Sequence, residues 1–207
     1  IPSPLRGTYT PRRVARLKHS CSALLFYFGV KRKLPGLDMH NLFFAADFEK
    51  NLRQIFSGEA MEDFSYYLYL SSKGDPSLAP EYGESLYALL PVADTQTVHE
   101  PWSAGSIARY RERLLDRIAA SPAGDIRADI EFEKIWSPLT LQEKFNAWNG
   151  SAFGLAPTLT QSLFFRPQAR FPSCEGVYFA GASTHPGAGV PIVMISGKLA
   201  AEEMMRA

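Results

Sequence analysis

The sequence predicts a mixed α/β protein, in which an α+β region is followed by one returning strand–turn–helix unit of the α/β kind. Three observations support this class. Short apolar runs of strand length recur through the first two thirds of the chain, separated by turn residues. Segments with helical periodicity lie between and after them. Near the C-terminus, four apolar residues precede nine small, turn-forming residues (181–189), after which a new helical pattern begins.

Five strands are expected before that unit. Residues 22–29 are apolar on both faces and rich in aromatics, which is typical of a central strand. Residues 71–84 contain Gly-Asp-Pro, Ala-Pro and a further Gly, so a loop is predicted there. Pro91 is expected to end the fourth strand or to lie close to its end. The predicted strands are 22–29, 40–45, 65–70, 86–92 and 126–136.

Five helical segments are predicted around these strands, at 12–18, 48–56, 103–120, 139–148 and 190–205. In the second segment, Leu52, Ile55 and Phe56 stand at helical spacing and are expected to face the core. Ser103 is a suitable N-cap for the third. Three arginines of that helix are interpreted as solvated side chains: Arg109, Arg111 and Arg113.

Length and composition are those of an ordinary globular protein. A chain of 207 residues with 46% hydrophobic and 21% charged residues can bury a sizeable core. No apolar run approaches the roughly 20 residues that a membrane-spanning helix needs. Cys21 and Cys174 define no disulfide scaffold, which favours a reducing compartment. The four histidines are too scattered for a metal site and no nucleophile motif occurs, so metalloenzymes and hydrolases are disfavoured.

Charge is distributed unevenly along the chain. Residues 1–33 contain eight basic side chains and no acidic one, although the net charge is only +1. A basic end suits anionic lipid head groups, a pyrophosphate or an acidic partner. A solvated flank explains it equally well. No pattern indicates nucleic-acid binding.

The strand–turn–helix unit at 177–205 has the most informative chemistry. A turn at a helix start places free N–H groups and the positive end of the helix dipole together, which favours an anion or an electron-rich carbonyl. Gly187 and Gly189 allow the backbone to approach a flat ligand. Ile192 stands where the third glycine of G-x-G-x-x-G would be, so the pattern indicates a dinucleotide only weakly. An ordinary strand–loop–helix connection explains it as well.

Several sequence blocks occur together in a distinctive order. One is Gly181-Ala-Ser-Thr-His-Pro-Gly-Ala-Gly-Val-Pro, and two longer ones are Phe145-Asn-Ala-Trp-Asn-Gly-Ser-Ala-Phe and Leu159-Thr-Gln-Ser-Leu-Phe-Phe-Arg-Pro. Shorter matches occur at 62–65, 77–80 and 90–92. The set resembles the bacterial-type phytoene desaturases, an FAD-dependent carotenoid desaturase family, over nearly all of the chain from about residue 18.

This resemblance implies an FAD-dependent amine oxidase/phytoene desaturase-like fold. Residues 1–19 would be the tail of the FAD-binding domain or a linker, 20–145 a substrate-binding domain with a mixed or antiparallel sheet, and 146–207 a return into the FAD-binding domain. Family members carry their G-x-G-x-x-G upstream of every block matched here, and the chain begins without Met. We therefore expect the C-terminal portion of a longer polypeptide, lacking its N-terminal FAD-binding half and inactive by itself.

The resemblance also implies where FAD binds. Hydride acceptance places negative charge on the N1–C2=O edge of the isoalloxazine, and the N–H groups of residues 190–193 are suited to stabilise it. Ala182 replaces an Asp that many flavoproteins have, and carotenoid desaturases often lack that Asp too. His185 either faces the flavin or is a loop histidine bonded to a backbone carbonyl. The expected cofactor contacts are Gly181, Ala182, His185, Gly187, Gly189, Val190, Pro191 and Ile192.

The implied substrate is a long isoprenoid hydrocarbon such as phytoene, whose binding depends on burial at about 25 cal/mol per Å². The tyrosine-rich strand at 66–70 is a candidate wall, although each residue is also explained as core. Arg166 is the polar candidate, and a structural ion pair would explain it as well. No residue is assigned as the catalytic base. The predicted substrate contacts are Phe153, Leu159, Gln161, Phe164 and Arg166, with Leu155, Leu163 and Phe165 as further candidates.

A substrate that dissolves in membranes predicts a cytoplasmic protein attached peripherally to a membrane surface. Leu139, Leu141, Phe145, Trp148 and the basic flank are candidate contacts. Two alternatives stay open. One is a related desaturase or an isomerase acting on a C30 or hydroxylated carotenoid, and the other is a non-catalytic isoprenoid-binding or partner subunit.

Overall fold

A computed structural model of the chain describes residues 2–7 and 9–206. The chain forms two compact units, a sheet unit of residues 21–152 and a loop–helix unit of residues 1–20 and 153–207. The predicted boundaries, after 19 and after 145, differ from these by one and seven residues. Residues 146–152 stay with the sheet unit because backbone atoms tie them to its first strand: Gly150 O accepts from Ser22 Oγ at 2.5 Å, and Ala152 N donates to Cys21 O at 3.0 Å.

The sheet unit contains one five-stranded sheet with the strand order β2-β3-β4-β1-β5. Every pairing in it is antiparallel, so the predicted α+β class is confirmed. Strand β4 ends at Val92, directly after Pro91 as predicted, and Pro91 itself still pairs with Ala23 of β1. The strands are β1 (Ser22–Val30), β2 (His40–Phe43), β3 (Tyr66–Leu70), β4 (Glu84–Val92) and β5 (Ile130–Trp136).

Alternation along the strands gives the sheet two different faces. Side chains such as Phe26, Leu68 and Leu90 point to one face and are fully buried. They form one apolar cluster with Ile55 of helix α2 (Phe48–Ser57) and Leu114 of helix α4 (Ala104–Ala119). The opposite face carries half-buried aromatic side chains and is described with the candidate site.

Helix α2 starts at the predicted residue and ends one residue later than predicted, but it does not have the predicted orientation. Asp47 caps its start, and Gly58 ends it with a φ of 87°, the left-handed conformation that favours glycine. Its buried side chains are Asn51, Gln54 and Ile55, whereas the predicted core residues Leu52 and Phe56 are exposed. The two amides determine this orientation: Asn51 Oδ1 accepts from Ser65 N at 3.0 Å, and Gln54 Nε2 donates to Ala60 O at 3.0 Å.

Helix α4 begins as predicted at Ser103, which forms a reciprocal capping box with Ser106. The interpretation of its arginines as merely solvated is wrong for Arg111 and Arg113. Arg111 binds Glu133 of β5 through two hydrogen bonds of 2.6 and 2.8 Å. Arg109 pairs with Glu100, and Arg113 donates to Met61 O at 2.8 Å.

Two further helices complete the sheet unit. The predicted loop at 71–84 begins with a short helix, α3 (Ser71–Gly74), in which buried Ser72 donates to Glu84 of β4. Helix α5 (Pro138–Phe145) starts at a second capping box, formed by Ser137 and Thr140.

The loop–helix unit has little regular structure besides α6 (Val190–Arg206), since α1 (Pro11–Val14) is a single turn. The predicted strand at 177–180 is wrong. The segment forms only a bridge between Tyr178 and Arg170, with backbone bonds Phe171 N to Val177 O and Phe179 N to Ala169 O. An apolar run needs a longer paired partner to become a strand, and residues 169–171 supply too few bonds.

Candidate functional site

The loop 181–189 leads directly into α6 and has a backbone that requires glycine. Gly181, Gly187 and Gly189 have φ values of 131°, 142° and 106°, which residues with a Cβ rarely adopt. The His185–Pro186 peptide bond is cis. Eight predicted cofactor contacts lie in this loop and the first turn of the helix, so one continuous segment brings them together.

The start of α6 leaves backbone amides free, but not the full set that was predicted. Val193 N donates to Gly189 O at 2.8 Å within the helix, and Pro191 has no N–H. The amides of Val190 and Ile192 make no hydrogen bond within the described part of the chain. Val190 is 78% exposed, so this corner is open. Two amides, rather than the whole first turn, are therefore available to an electron-rich group.

Ser196 holds the loop against the helix, a role that the sequence analysis missed. Its side chain is fully buried, accepts a hydrogen bond from Gly181 N at 2.9 Å and donates to Val193 O at 2.6 Å. Thr184 Oγ1 donates to Gly181 O at 2.8 Å. A serine on an otherwise apolar helix face was the available signal, since such a hydroxyl needs a partner.

His185 is oriented by its backbone rather than by its ring. Its amide donates to Pro167 O at 2.7 Å, whereas Nδ1 is buried and has no partner among the described residues. The alternative of a ring nitrogen bonded to a backbone carbonyl is therefore not observed for Nδ1. A buried imidazole nitrogen without a partner fits a loop that receives a polar ligand atom.

Arg166 and Gln161, which were predicted to contact substrate, are buried instead, with exposed fractions of 3% and 7%. Gln161 exchanges hydrogen bonds of 2.8 Å with the backbone of Lys18. Arg166 donates to four backbone carbonyls, and no ion pair includes it within the described residues. Both side chains are engaged in structural contacts, and the predicted ion pair of Arg166 is not observed.

Most of the apolar residues predicted to line the substrate channel lie at the surface of the loop–helix unit, whereas Leu155 is buried. Phe153 is 46% exposed, and Leu159 and Phe164 are each 92% exposed. Phe164 lines an open cleft of about 440 Å³ that also includes Tyr9, Phe171 and Phe179. Within this unit they do not enclose a channel.

The sheet unit presents a different apolar surface, which we call the aromatic face. Its rings are in contact from strand to strand, with centroid distances of 4.9 Å for His40–Tyr69, 6.3 Å for Tyr67–Tyr87 and 5.2 Å for Tyr27–Tyr87. Of the tyrosine-rich strand, only Tyr67 and Tyr69 lie on it, because Tyr66 belongs to the core. The aromatic face consists of Tyr27, His40, Tyr67, Tyr69, Tyr87 and Trp136.

Tyr87 is the most perturbed phenol of the aromatic face. Burial, followed by the neighbouring phenols of Tyr27 and Tyr67, raises its pKa to about 12. Burial also raises the pKa of Tyr27 and Tyr67. The tyrosines of the face are therefore neutral at neutral pH, which suits an apolar ligand, and a cation lies at the edge of the face, where Lys134 Nζ is 5.6 Å from the centroid of the Trp136 ring.

Residues 65–205 match the family of flavin containing amine oxidoreductases. The chain belongs to this family. It is 42% identical over 208 residues to a 4,4'-diapophytoene desaturase (4,4'-diaponeurosporene-forming) of Staphylococcus haemolyticus, covering 99% of this chain and 41% of that protein. It is 39% identical over 202 residues to the enzyme of the same name from Staphylococcus aureus strain Newman, covering 96% of this chain and 40% of that protein. The chain thus spans about two fifths of the length of these relatives, and the resemblance to carotenoid desaturases is confirmed.

Family membership implies a flavin, and the loop 181–189 fits one. The free amides, the glycine backbone and the unpartnered His185 nitrogen suit the polar edge of a flat ligand. No group of three or more His, Cys, Asp or Glu among the described residues is placed to hold a metal ion. Across residues 2–7 and 9–206, no helix has the length and hydropathy that crossing a membrane requires.

Proposed function

We propose that this chain is part of an FAD-dependent carotenoid desaturase, which removes hydrogen from a long isoprenoid hydrocarbon. The observation that carries the proposal is the open start of α6, where the amides of Val190 and Ile192 are free beside Gly189. When bound, the flavin supplies the hydride acceptor. The residues of the chain hold its polar edge, and the helix dipole favours the negative charge of the reduced form.

The aromatic face is proposed as a substrate surface. It crosses five strands, a width of about 19 Å at an inter-strand spacing of about 4.8 Å, and it offers no charged group that a hydrocarbon would have to desolvate apart from the rim. The names of the relatives favour 4,4'-diapophytoene, a C30 substrate of the kind that the sequence analysis held as an alternative to phytoene.

We also propose that the nucleotide end of FAD is bound by a fingerprint outside these 207 residues, since no G-x-G-x-x-G occurs among them. A cytoplasmic, peripherally membrane-attached location follows from the substrate. Leu139, Phe145 and Trp148 are 43%, 58% and 48% exposed and are candidate contacts. Flotation of the L139E/W148E variant with phospholipid vesicles tests this, because the wild type should float and the variant should not.

The test of the redox function compares two glycines in the whole protein. Gly181 and Gly176 both have positive φ, 131° and 75°, and a Cβ built on either meets no atom within 4 Å, so Gly→Ala strains each backbone without a steric clash. Only Gly181 lies in the flavin loop. We expect Gly181→Ala to lose bound flavin, and Gly176→Ala to retain it.

Activity is measured in cells supplied with 4,4'-diapophytoene or with phytoene, and the products are separated by chromatography. We expect wild type and Gly176→Ala to form desaturated product from 4,4'-diapophytoene and Gly181→Ala to form little. Wild-type protein that purifies without flavin, or that leaves both hydrocarbons unchanged, would contradict the proposed function.

A further inference from the structure

Arg166 is a buried cation that has no carboxylate partner among the described residues, and it binds carbonyl oxygens from two separate segments. Nε donates to Thr184 O at 3.1 Å, and Nη2 donates to Ala182 O at 2.5 Å. Nη1 donates to Gln161 O at 3.2 Å, and Nη2 also donates to Leu155 O at 3.0 Å. The guanidinium is planar and has its N–H groups in fixed directions, so these four bonds fix the two segments relative to each other.

The loop 181–189 wraps closely around this guanidinium. Gly187 is buried, and a Cβ built on it would lie 3.7 Å from Nε and 3.8 Å from Cζ of Arg166. His185 N donates to the carbonyl oxygen of Pro167, the next residue along the chain. Loop residues 182, 184, 185 and 187 therefore all lie against the Arg166–Pro167 backbone or side chain.

A buried charge of this kind is costly unless hydrogen bonds compensate it, and burial lowers the pKa of Arg166 without neutralising it. A neutral amide or hydroxyl would cost less to bury, but it would bind fewer of these carbonyls and bring no charge to the loop. A cation instead gives the loop a positive field, of the same sign as that of the free amides at Val190 and Ile192. Both features favour an electron-rich group at the loop.

We propose that Arg166 is a positioning residue for the flavin, which holds the 181–187 backbone in its binding conformation and contributes positive charge there. The proposal rests on the proposed flavin site. It replaces the expectation that Arg166 contacts the substrate. It also gives a physical reason for an arginine in the Phe-Phe-Arg-Pro segment, since only a forked cation reaches all four carbonyls.

The test compares Arg166→Lys and Arg166→Met in the flavin-loaded whole protein, with Arg170→Met as a matched control because Arg170 is exposed. Lys keeps the charge but cannot span four carbonyls, so flavin affinity should fall about tenfold or more, as for the loss of charge-assisted hydrogen bonds. Arg166→Met should bind flavin still more weakly. The flavin that Arg166→Met retains should also have a lower midpoint potential, whereas the potential in Arg166→Lys should be closer to that of the wild type.

A second measurement separates positioning from simple loss of the fold. In flavin-free protein, hydrogen exchange at the amides of residues 182–185 and 187 should be faster in Arg166→Lys than in wild type, and exchange in β1 and β4 should be unchanged. Equal flavin affinity in Arg166→Lys and wild type, or unchanged exchange in the loop, would overturn the role of Arg166. Wild-type protein that binds no flavin would instead overturn the proposed function.

Discussion

The two units of this chain hold their backbones by different means. In the sheet unit, five strands pair with one another and bury Phe26, Leu68 and Leu90 completely. In the loop–helix unit, buried polar side chains such as Arg166 and Ser196 make the long-range connections. The first unit is therefore stabilised by a large apolar core, whereas the second buries few apolar side chains, such as Leu155 and Phe171, and depends more on individual hydrogen bonds.

This difference has a consequence for function. A hydrogen-bonded sheet covered on one side gives a rigid surface, which suits the binding of a featureless hydrocarbon across the aromatic face. A loop fixed by buried polar groups exposes backbone amides at Val190 and Ile192, which suits a polar cofactor edge. The apolar surface of the sheet unit matches the proposed hydrocarbon, and the polar loop of the loop–helix unit matches the proposed cofactor.

The largest difference between the two units is expected in the unfolding free energy that is lost when a phenylalanine is replaced by alanine. Phe26→Ala removes a fully buried ring from the core and should cost about 3–5 kcal/mol of unfolding free energy. Phe164→Ala removes a ring that is 92% exposed and should change the same quantity by less than about 0.5 kcal/mol. Urea unfolding of both variants measures this. Comparable losses would mean that the surface of the loop–helix unit is as important for stability as the sheet core.

A smaller effect is expected from Ser196→Ala, which leaves the amide of Gly181 without its partner. Loss of a buried hydrogen bond of this kind costs about 1–3 kcal/mol. Hydrogen exchange should accelerate at Gly181 and Thr184 and stay unchanged in the sheet. Ser173→Ala, at an exposed serine of the same unit outside this loop, is the control and should resemble wild type. Uniform acceleration across both units would contradict the view that the loop is held locally.

The sheet unit was largely predictable from sequence, because strand periodicity and capping residues act locally. All five strands were predicted, and Ser103 was recognised as a helix cap. The errors have a common cause. Leu52 and Phe56 were expected inside, but the amides of Asn51 and Gln54 found backbone partners that no local pattern reveals.

In the loop–helix unit, sequence reasoning identified the segment but not the contacts that shape it. The glycine pattern of 181–189 and the helix start at Val190 were visible as motifs. Three of the four carbonyls around Arg166 and the hydroxyl of Ser196 were not, since they depend on contacts between residues 11 to 18 positions apart. The missing strand at 177–180 is a similar case, because strand formation depends on the partner.

Substitution on the aromatic face should affect catalysis more than stability. Tyr67→Ser removes a half-buried ring that contacts Tyr87 and His40. The apolar contact that the ligand loses should cost about 1.4 kcal/mol of binding free energy, so kcat/KM should fall about tenfold. Tyr82→Ser, at a tyrosine that lies outside the aromatic face and is 59% exposed, is the matched control. Desaturation assays with 4,4'-diapophytoene compare the two. Equal activities of Tyr67→Ser and Tyr82→Ser would show that the aromatic face is not part of the substrate site.

The smallest effect concerns alkaline stability and depends on Tyr87. Its pKa rises from 10.0 to about 12 in the folded protein, so folding favours the neutral phenol. The stabilisation from this shift is complete below about pH 10 and is lost as the pH rises through the folded value. Between pH 9 and pH 11, the unfolding free energy of wild type should therefore decrease more steeply than that of Tyr87→Phe, which has no phenol to ionise at this position. Tyr82→Phe should follow the wild type. Parallel curves for Tyr87→Phe and wild type would mean that the aromatic face is as hydrated as the surface around Tyr82, and a hydrated face would be a poor site for a hydrocarbon.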